Sequence, residues 1–251
     1  EKLMCISNTN NGTVAKRIQF IGRASHAGGA PHLGINALNA AMMAMTAINF
    51  NRETFRDEDS IRVHPIITKG GEAVSAVPAD VRMETFVRGR TLEALMDANM
   101  KVDRALRAGA MAVGAEVKIQ TIPGYMPLQQ NKAMAEIFRA NAADLVGEEN
   151  VGYVDHRGGS TDMGDISHLM PVIHPYVGGA TGLGHGATYV IEDYDLAVIK
   201  GAKAIAYTVI DLLGDNASHG NSIVGGQRPD MSIPEYLKFM RSLASEETYK
   251  S

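Results

Sequence analysis

One cysteine, Cys5, stands in the whole chain. A lone thiol excludes an internal disulfide framework, and no cysteine pair is available for a structural zinc. Cys5 reads as a minor core or surface thiol rather than a nucleophile. It fits a reducing compartment, so the cytoplasm is the default expectation. No apolar run approaches the roughly 20 residues needed to span a bilayer. The opening residues, Glu1-Lys-Leu-Met-Cys-Ile-Ser7, have no long apolar core of the secretory kind. Positive charge is not in excess: 24 Lys and Arg against 28 Asp and Glu leave a net charge of −4. No basic cluster with interleaved aromatics suggests a nucleic-acid groove. There is no His-Glu-x-x-His helix, no Gly-x-Ser-x-Gly elbow, and no phosphate loop ending in Gly-Lys-Ser/Thr. Nucleic acid and membrane are therefore not expected as partners.

What is present is the composition of a globular protein, 45% apolar and 21% charged over 251 residues, enough for one large or two ordinary domains. Val14 to Gly22 alternates as a strand. Asn36 to Asn49 reads as a helix with Leu38, Met42, Met45 and Ile48 at helical spacing. Its intervening positions are also small or apolar, which predicts burial on more than one side, by an oligomer interface or by tight packing at a domain centre. Ile61 to Thr68 and Val81 to Val87 are strand-like. A helix capped by Thr91 carries Leu92, Leu95, Met96, Val102 and Leu106 on one stripe, and Glu116 to Ile122 returns as a strand. The order β-α-β-β-α-β predicts a split βαβ unit, with two helices on one face of an antiparallel sheet whose other face or edge needs a cover.

The second half differs. Asn131 to Leu145 reads as a helix, and a last long helix is expected to bury Val198, Ala202, Ile205, Val209 and Leu212, with Gly214 at its C-terminal cap. Asp215 to Ser232 is polar and Gly/Ser-rich and reads as a loose tail, with a short amphipathic helix possible over Ile233 to Leu243. The fold class is therefore α+β, and the composition shift near Pro123 to Pro127 marks a domain boundary. Of the eight histidines, His64, His174 and His219 stand alone, while His156 and His168 flank the turn Gly158-Gly-Ser-Thr-Asp162.

The stretch between the first strand and first helix, Gly22-Arg-Ala-Ser-His-Ala-Gly-Gly-Ala-Pro-His-Leu-Gly34, holds two histidines among small residues. From chemistry alone it is either a functional loop or a turn with exposed histidines. Its wording resembles the start of the lid, or dimerisation, domain of zinc-dependent aminoacylase and carboxypeptidase-G-like amidohydrolases, nearest the aminobenzoyl-glutamate hydrolase branch. Three further motifs follow in the family's order. Gly70-Gly-Glu-Ala-Val-Ser-Ala-Val-Pro78 is similar to a lid motif reading Gly-Gly-x-x-x-Asn-x-x-Pro, with Ser75 in place of asparagine. Gly158-Gly-Ser-Thr-Asp162 resembles a Gly-Gly-Thr-Asp turn of the catalytic domain. Gly184-His-Gly-Ala-Thr-Tyr-Val-Ile-Glu-Asp193 resembles the family's closing motif.

The resemblance implies a ferredoxin-like lid followed by the C-terminal portion of an α/β zinc-hydrolase catalytic domain. Its segments would be 1–13 as a linker remnant, 14–124 as lid, 125–214 as catalytic portion and 215–251 as tail. It implies that His185 ligates zinc, with two zinc ions per complete site. It makes His26 the lid histidine that reaches into the partner's site to polarise the scissile carbonyl. Arg88 would hold a substrate carboxylate, Thr161 and Asp162 would line the site, and Ser75 would stand near substrate. A homodimer through the lid and a small carboxylate-bearing amide as substrate follow. In this family most zinc ligands and the general base precede the lid, and only nine residues precede position 10 here. The chain is therefore expected to be inactive alone. A non-catalytic dimerisation module is the alternative, and a mononuclear metal binder using His185 with His156 or Asp162 a third.

Overall fold

A computed structural model describes residues 3–250. The first half of the chain forms β1 (Met4–Asn10), β2 (Gly12–Ile21), α1 (Ala37–Phe50), β3 (Arg62–Val63), β4 (Ile66–Lys69), β5 (Asp80–Gly89), α2 (Leu92–Val113) and β6 (Glu116–Pro123). The second half adds β7 (Leu128–Gln129), α3 (Lys132–Val146), β8 (Val151–Arg157), α4 (Met163–Ser167), β9 (Tyr176–Val177), β10 (Ala180–Thr181), β11 (Val190–Ile191), α5 (Gly201–Gly226), α6 (Ile233–Ser242) and β12 (Ser245–Lys250). Two compact units result. Among the described residues, one holds 11–127, 158–161 and 233–250; the other holds 3–10, 128–157 and 162–232.

The first of these units is the βαββαβ arrangement read from the pattern. Its sheet runs β12-β6-β2-β5-β3, with β4 also on β5, and every pairing is antiparallel. Alternation sends Val14, Ile18 and Phe20 of β2, and Val81, Met83 and Val87 of β5, into one core beneath the two helices. Asn36 caps α1 by accepting from the Leu38 and Asn39 amides, Thr91 caps α2 by accepting from Ala94, and Gly114, at φ 71°, ends α2. Lys16 points into this core, fully buried, donating to Thr121 Oγ1 at 2.8 Å and pairing with Asp103 at 2.6 Å. Burial depresses the Lys16 pKa, and the Asp103 carboxylate opposes that shift.

The buried face of α1 departs from the expected stripe at Met42: Ile48 is buried and Leu38 and Met45 pack against the core, but the alanines between them take the innermost positions. Ala37, Ala40, Ala41, Ala44 and Ile48 are buried, whereas Met42 is 56% and Phe50 75% exposed. Alanine wins the inner face because α1 and α2 lie almost backbone to backbone. A Cβ added at Gly109 of α2 would stand 2.5 Å from the Ala40 carbonyl oxygen and 2.6 Å from the Ala44 nitrogen. Large side chains cannot enter so narrow a gap, and Met42 and Met43 turn outward.

The chain beyond Gly214, read as a tail, is structured. The backbone leaves helical geometry at Gly214 and passes through Asp215, Asn216 and Ala217 at φ 48°, 53° and 59° before α5 resumes to Gly226. Farther on, β12 pairs along β6 from Ser245↔Thr121 to Lys250↔Glu116 and supplies the edge cover. Arg107 of α2 grips Glu247 of β12 through two hydrogen bonds. A polar strand placed on an edge by pairing over more than a hundred residues carries little local signal.

In the other unit β1 is central rather than a linker remnant. It pairs in parallel with β8 from Met4↔Val151 to Asn10↔Arg157, and antiparallel with β7 and β9. Met4, Ile6, Phe138, Ala142, Leu196 and Ala204 form its small core. The stripe expected along the last helix is displaced. Gly201, Ala204 and Thr208 are buried, while Val198, Ile205 and Val209 are 50%, 58% and 46% exposed. The small residues again face inward, and the large ones have no neighbour among the described residues of this unit that covers them.

Two outcomes follow. Gly109→Ala gains about 1 kcal/mol of helix propensity, but the new methyl meets backbone that cannot swing away, and overpacking of this kind costs about 1–3 kcal/mol. Net destabilisation is expected in denaturant melts; a stabilised variant would contradict the tight α1–α2 contact. Asp80, at the start of β5, accepts from Lys69 and Gln19 and lies beside Arg82, which lowers its pKa from 3.8 to about 2. Its stabilising share is therefore complete above about pH 4 and is lost as pH falls through 2. Wild type should lose more stability than Asp80→Asn across that window, measured by thermal unfolding at stepped pH.

Candidate functional site

The loop between β2 and α1 folds back on itself. Gly22 begins it where a Cβ would overlap the Ile35 carbonyl oxygen, so only glycine allows the loop to close. Arg23 and Ile35 exchange backbone hydrogen bonds of 3.0 and 2.9 Å across its neck. Within it the Gly28 and Gly29 amides donate to His26 Nδ1 at 3.2 and 2.9 Å. An Nδ1 that accepts leaves the proton of the neutral ring on Nε2. His26 is therefore held, exposed, as an Nε2–H donor. His32, in the same loop, is also exposed.

The Gly70–Pro78 motif comes to this loop. Ala27 donates to the Ser75 carbonyl at 2.8 Å, Val77 donates to the Ser25 carbonyl at 2.9 Å, and His26 bridges Ala76. Two motifs some fifty residues apart in sequence thus meet, with His26 and Ser75 on one surface. Asp80 and its Lys69 and Gln19 partners lie at the same end of the sheet, because Asp80 pairs with Ile21.

Arg88 lies elsewhere. It pairs with Thr13 near the other end of β5, eight positions from Asp80, or about 26 Å at the rise of an extended strand. Its Nε is buried without a hydrogen-bond partner, and its guanidinium carbon lies 5.3 Å from the Phe86 ring centre. The Gly158–Thr161 turn belongs to this end. The buried Asn11 side chain donates to the Ser60 carbonyl at 2.9 Å and to the Gly158 carbonyl at 3.2 Å. Ser160 Oγ in that turn is also buried without a partner. Asp162, exposed, immediately precedes α4. So the structure brings His26 to Ser75 and Arg88 to the Thr161 turn, and keeps the two groups apart.

His185 sits at the exposed tip between β10 and β11, with φ 65°, flanked by Gly184 and Gly186. Among the described residues no three His, Cys, Asp or Glu side chains converge to hold a metal ion. A hydrolytic zinc needs about three protein ligands and an open water position. The donors that the described residues bring together do not meet that need. Two other histidines have local partners: His156 Nδ1 lies 2.9 Å from Thr9 Oγ1, and His168 Nδ1 lies 2.9 Å from Asp230.

Two residues of the Arg88 end escaped the sequence reading. Asn11 precedes a glycine at a strand start, a signal shared with many turns. Arg62 opens a β-branched run, and nothing local marks it as Arg88's neighbour.

The Peptidase dimerisation domain family matches residues 8–113. The mouse (Mus musculus) Xaa-Arg dipeptidase is 30% identical over 206 residues, covering 78% of this chain and 47% of its own length. A p-aminobenzoyl-glutamate hydrolase homolog of Haemophilus influenzae is 34% identical over 86 residues, 34% of this chain and 20% of that protein. The chain thus spans about half the length of the mouse dipeptidase. In fold, an amidase of the hydantoinase/carbamoylase family from Burkholderia vietnamiensis superposes over 84% of this chain and 50% of its own, with TM-score 0.70 and 18% identity. The chain belongs to the family of peptidases and amidohydrolases that carry this dimerisation domain.

Proposed function

We propose that this chain is part of a metal-dependent amidohydrolase that cleaves an amide bond in a small carboxylate-bearing substrate, such as an N-acyl amino acid or an aminobenzoyl-glutamate-like compound. It works as a homodimer paired through the unit built on β2, α1, β5, α2 and β6. The observation that carries this reading is the separation of the two groups along β5. A small amide cannot touch His26 and Arg88 of one protomer when the strand between them spans about 26 Å. A two-fold partner can supply the missing group. Arg88 of one protomer then holds the substrate carboxylate with its guanidinium fork, while His26 of the other donates from Nε2 to the oxygen that gains charge as the carbonyl is attacked. Ser75 and Thr161 line these two ends. The exposed Met42 and Phe50 on the outer face of α1 supply apolar surface for the pairing.

The resemblance implies zinc, two ions per site, with His185 as one ligand. The remaining ligands and the general base would come from residues outside this sequence. The exposed Ile205 and Val209 on α5, and Val198 just before it, beside a parallel β1–β8 pair of the kind that is normally covered on both faces, support a larger sheet in the whole protein. The 251-residue chain is accordingly expected to bind zinc weakly and to leave N-acyl amino acids intact. Zinc that survives dialysis at two per chain, with turnover, would refute that reading, and a chain that dimerises without supporting hydrolysis in any full-length form would favour the dimerisation module.

The paired arrangement makes a sharper prediction for the full-length enzyme. His26→Ala should lower turnover by roughly 10²–10³-fold, the scale for one oxyanion donor, and Arg88→Ala should raise KM. Mixed with free exchange of protomers and assayed at substrate well below the Arg88→Ala KM, the two impaired variants form heterodimers in which one site has both groups and the other neither. About a quarter of wild-type sites should then reappear for random two-fold pairing. Exchanged mixtures that stay as inactive as their parents would rule out the contribution across the dimer.

A further inference from the structure

Arg62 of β3 stands directly opposite Arg88 of β5 in the antiparallel register. Directly opposed residues point to the same face of a sheet, with Cβ atoms about 4.5–5.5 Å apart, and like charges there repel. The repulsion is not offset within the chain. Arg62 donates from Nη1 to its neighbouring Ile61 carbonyl, and Arg88 makes only its contact with the Phe86 ring. Neither guanidinium forms an ion pair with a carboxylate among the described residues, although acidic residues outnumber basic ones in the chain. The Arg62 Nε lies about 4 Å from where a Cβ on Gly158 would be, so this arginine also borders the turn that Asn11 holds.

The surroundings suit the rest of a ligand. The next row along the same face holds Ile122, Ala15 and Phe86, paired across β6, β2 and β5. His64 and Ile66 join them around a shallow concavity whose far side is closed by Arg17 and Glu84, paired with each other at 3.7 Å. Phe86 is 51% exposed. An apolar floor thus adjoins two unneutralised cations. One carboxylate satisfies one guanidinium through a bidentate pair and leaves a charge over; two carboxylates balance both.

We propose that Arg62 and Arg88 form a two-guanidinium site for a dicarboxylate, and that Arg62 is the specificity-determining residue that makes the carboxylate-bearing half of the substrate an acidic amino acid. The proposal rests on the role given to Arg88 above. It places the α-carboxylate and the side-chain carboxylate of a dicarboxylic amino acid on the two arginines, with the remainder of the molecule over Phe86 and Ile122. A cationic side chain would meet Arg62 and be refused.

Binding to the 251-residue chain tests this without any turnover, so its outcome is separable from that of the amidohydrolase reading. Glutarate, butyrate and inorganic phosphate are titrated by calorimetry, with the arginine Nε–H signals followed by NMR. Glutarate should bind about tenfold or more tighter than butyrate, the low end for one added charge-assisted pair, and should shift both arginine signals. Arg62→Gln should reduce glutarate to the level of butyrate, while Arg62→Lys keeps part of the difference. Arg62 is exposed on a short strand, so the variants should fold. The melting temperature of unliganded Arg62→Gln should rise above wild type, because one of two repelling charges is gone, and glutarate should no longer raise it. A glutarate-to-butyrate ratio unchanged in Arg62→Gln, phosphate binding as tight as glutarate, or no binding of any of the three overturns the proposal. In the full-length enzyme, turnover that proceeds with equal preference for N-acyl-glutamate and N-acyl-norvaline in wild type and Arg62→Gln would overturn it while leaving the hydrolase reading intact.

Discussion

The length and straightness of β5 is the constraint on which the functional geometry depends. Ten residues of extended chain, hydrogen-bonded to β2 over their whole length, cannot bend to bring their ends together. Whatever is attached near Asp80 is held far from whatever is attached near Arg88. The His26 loop and the Ser75 segment are bound to the first end by backbone hydrogen bonds, and the Gly158–Thr161 turn is bound to the second through Asn11. The strand works as a spacer that forbids some combinations of side chains within a protomer and leaves them open between protomers.

The spacer is rigid because of what lies beneath it. α1 and α2 approach closely enough that glycine and alanine fill the seam between them, and both helices press on the same face of β2, β5 and β6. Such close packing transmits displacement rather than absorbing it. The buried Lys16 adds a polar tie, since its ammonium must keep Thr121 and Asp103 in place or be left unpaired in the core. The opposite face of the sheet carries the exposed Arg62 and Phe86 and the half-buried Arg88, so one face of the unit provides stability and the other faces solvent.

Polarity differs between the two ends. Near Asp80 every charge in the local cluster has an opposite partner, with Lys69 and Arg82 around one carboxylate. Near Arg88, neither Arg62 nor Arg88 has a carboxylate partner among the described residues. An end that is neutralised internally offers little to an ion, whereas an end with unbalanced charge gains from one. The different roles proposed for the two ends, a neutral donor at His26 and anion capture at Arg88, rest on that imbalance.

Local pattern alone determined much of this protein. Alternation in β2 and β5, the Asn36 and Thr91 caps and the Gly114 stop are all properties of neighbouring residues, and they specify the βαββαβ order. The motifs around His26, Ser75, Thr161 and His185 were legible as words. Where those words come to lie was not, since it depends on sheet register and on pairings between residues far apart in the chain. Nothing beside Met42 reveals that a glycine on another helix brings α1 too close for methionine to point inward. Nothing beside Ser245 reveals that β6 has a free edge to receive it. The Arg62–Arg88 pair is the clearest instance: each arginine alone reads as a solvated charge, and only the antiparallel register of β3 on β5 turns them into neighbours that repel. Sequence specifies the elements because their causes act over a few residues; the site depends on tertiary structure because its causes act across the sheet.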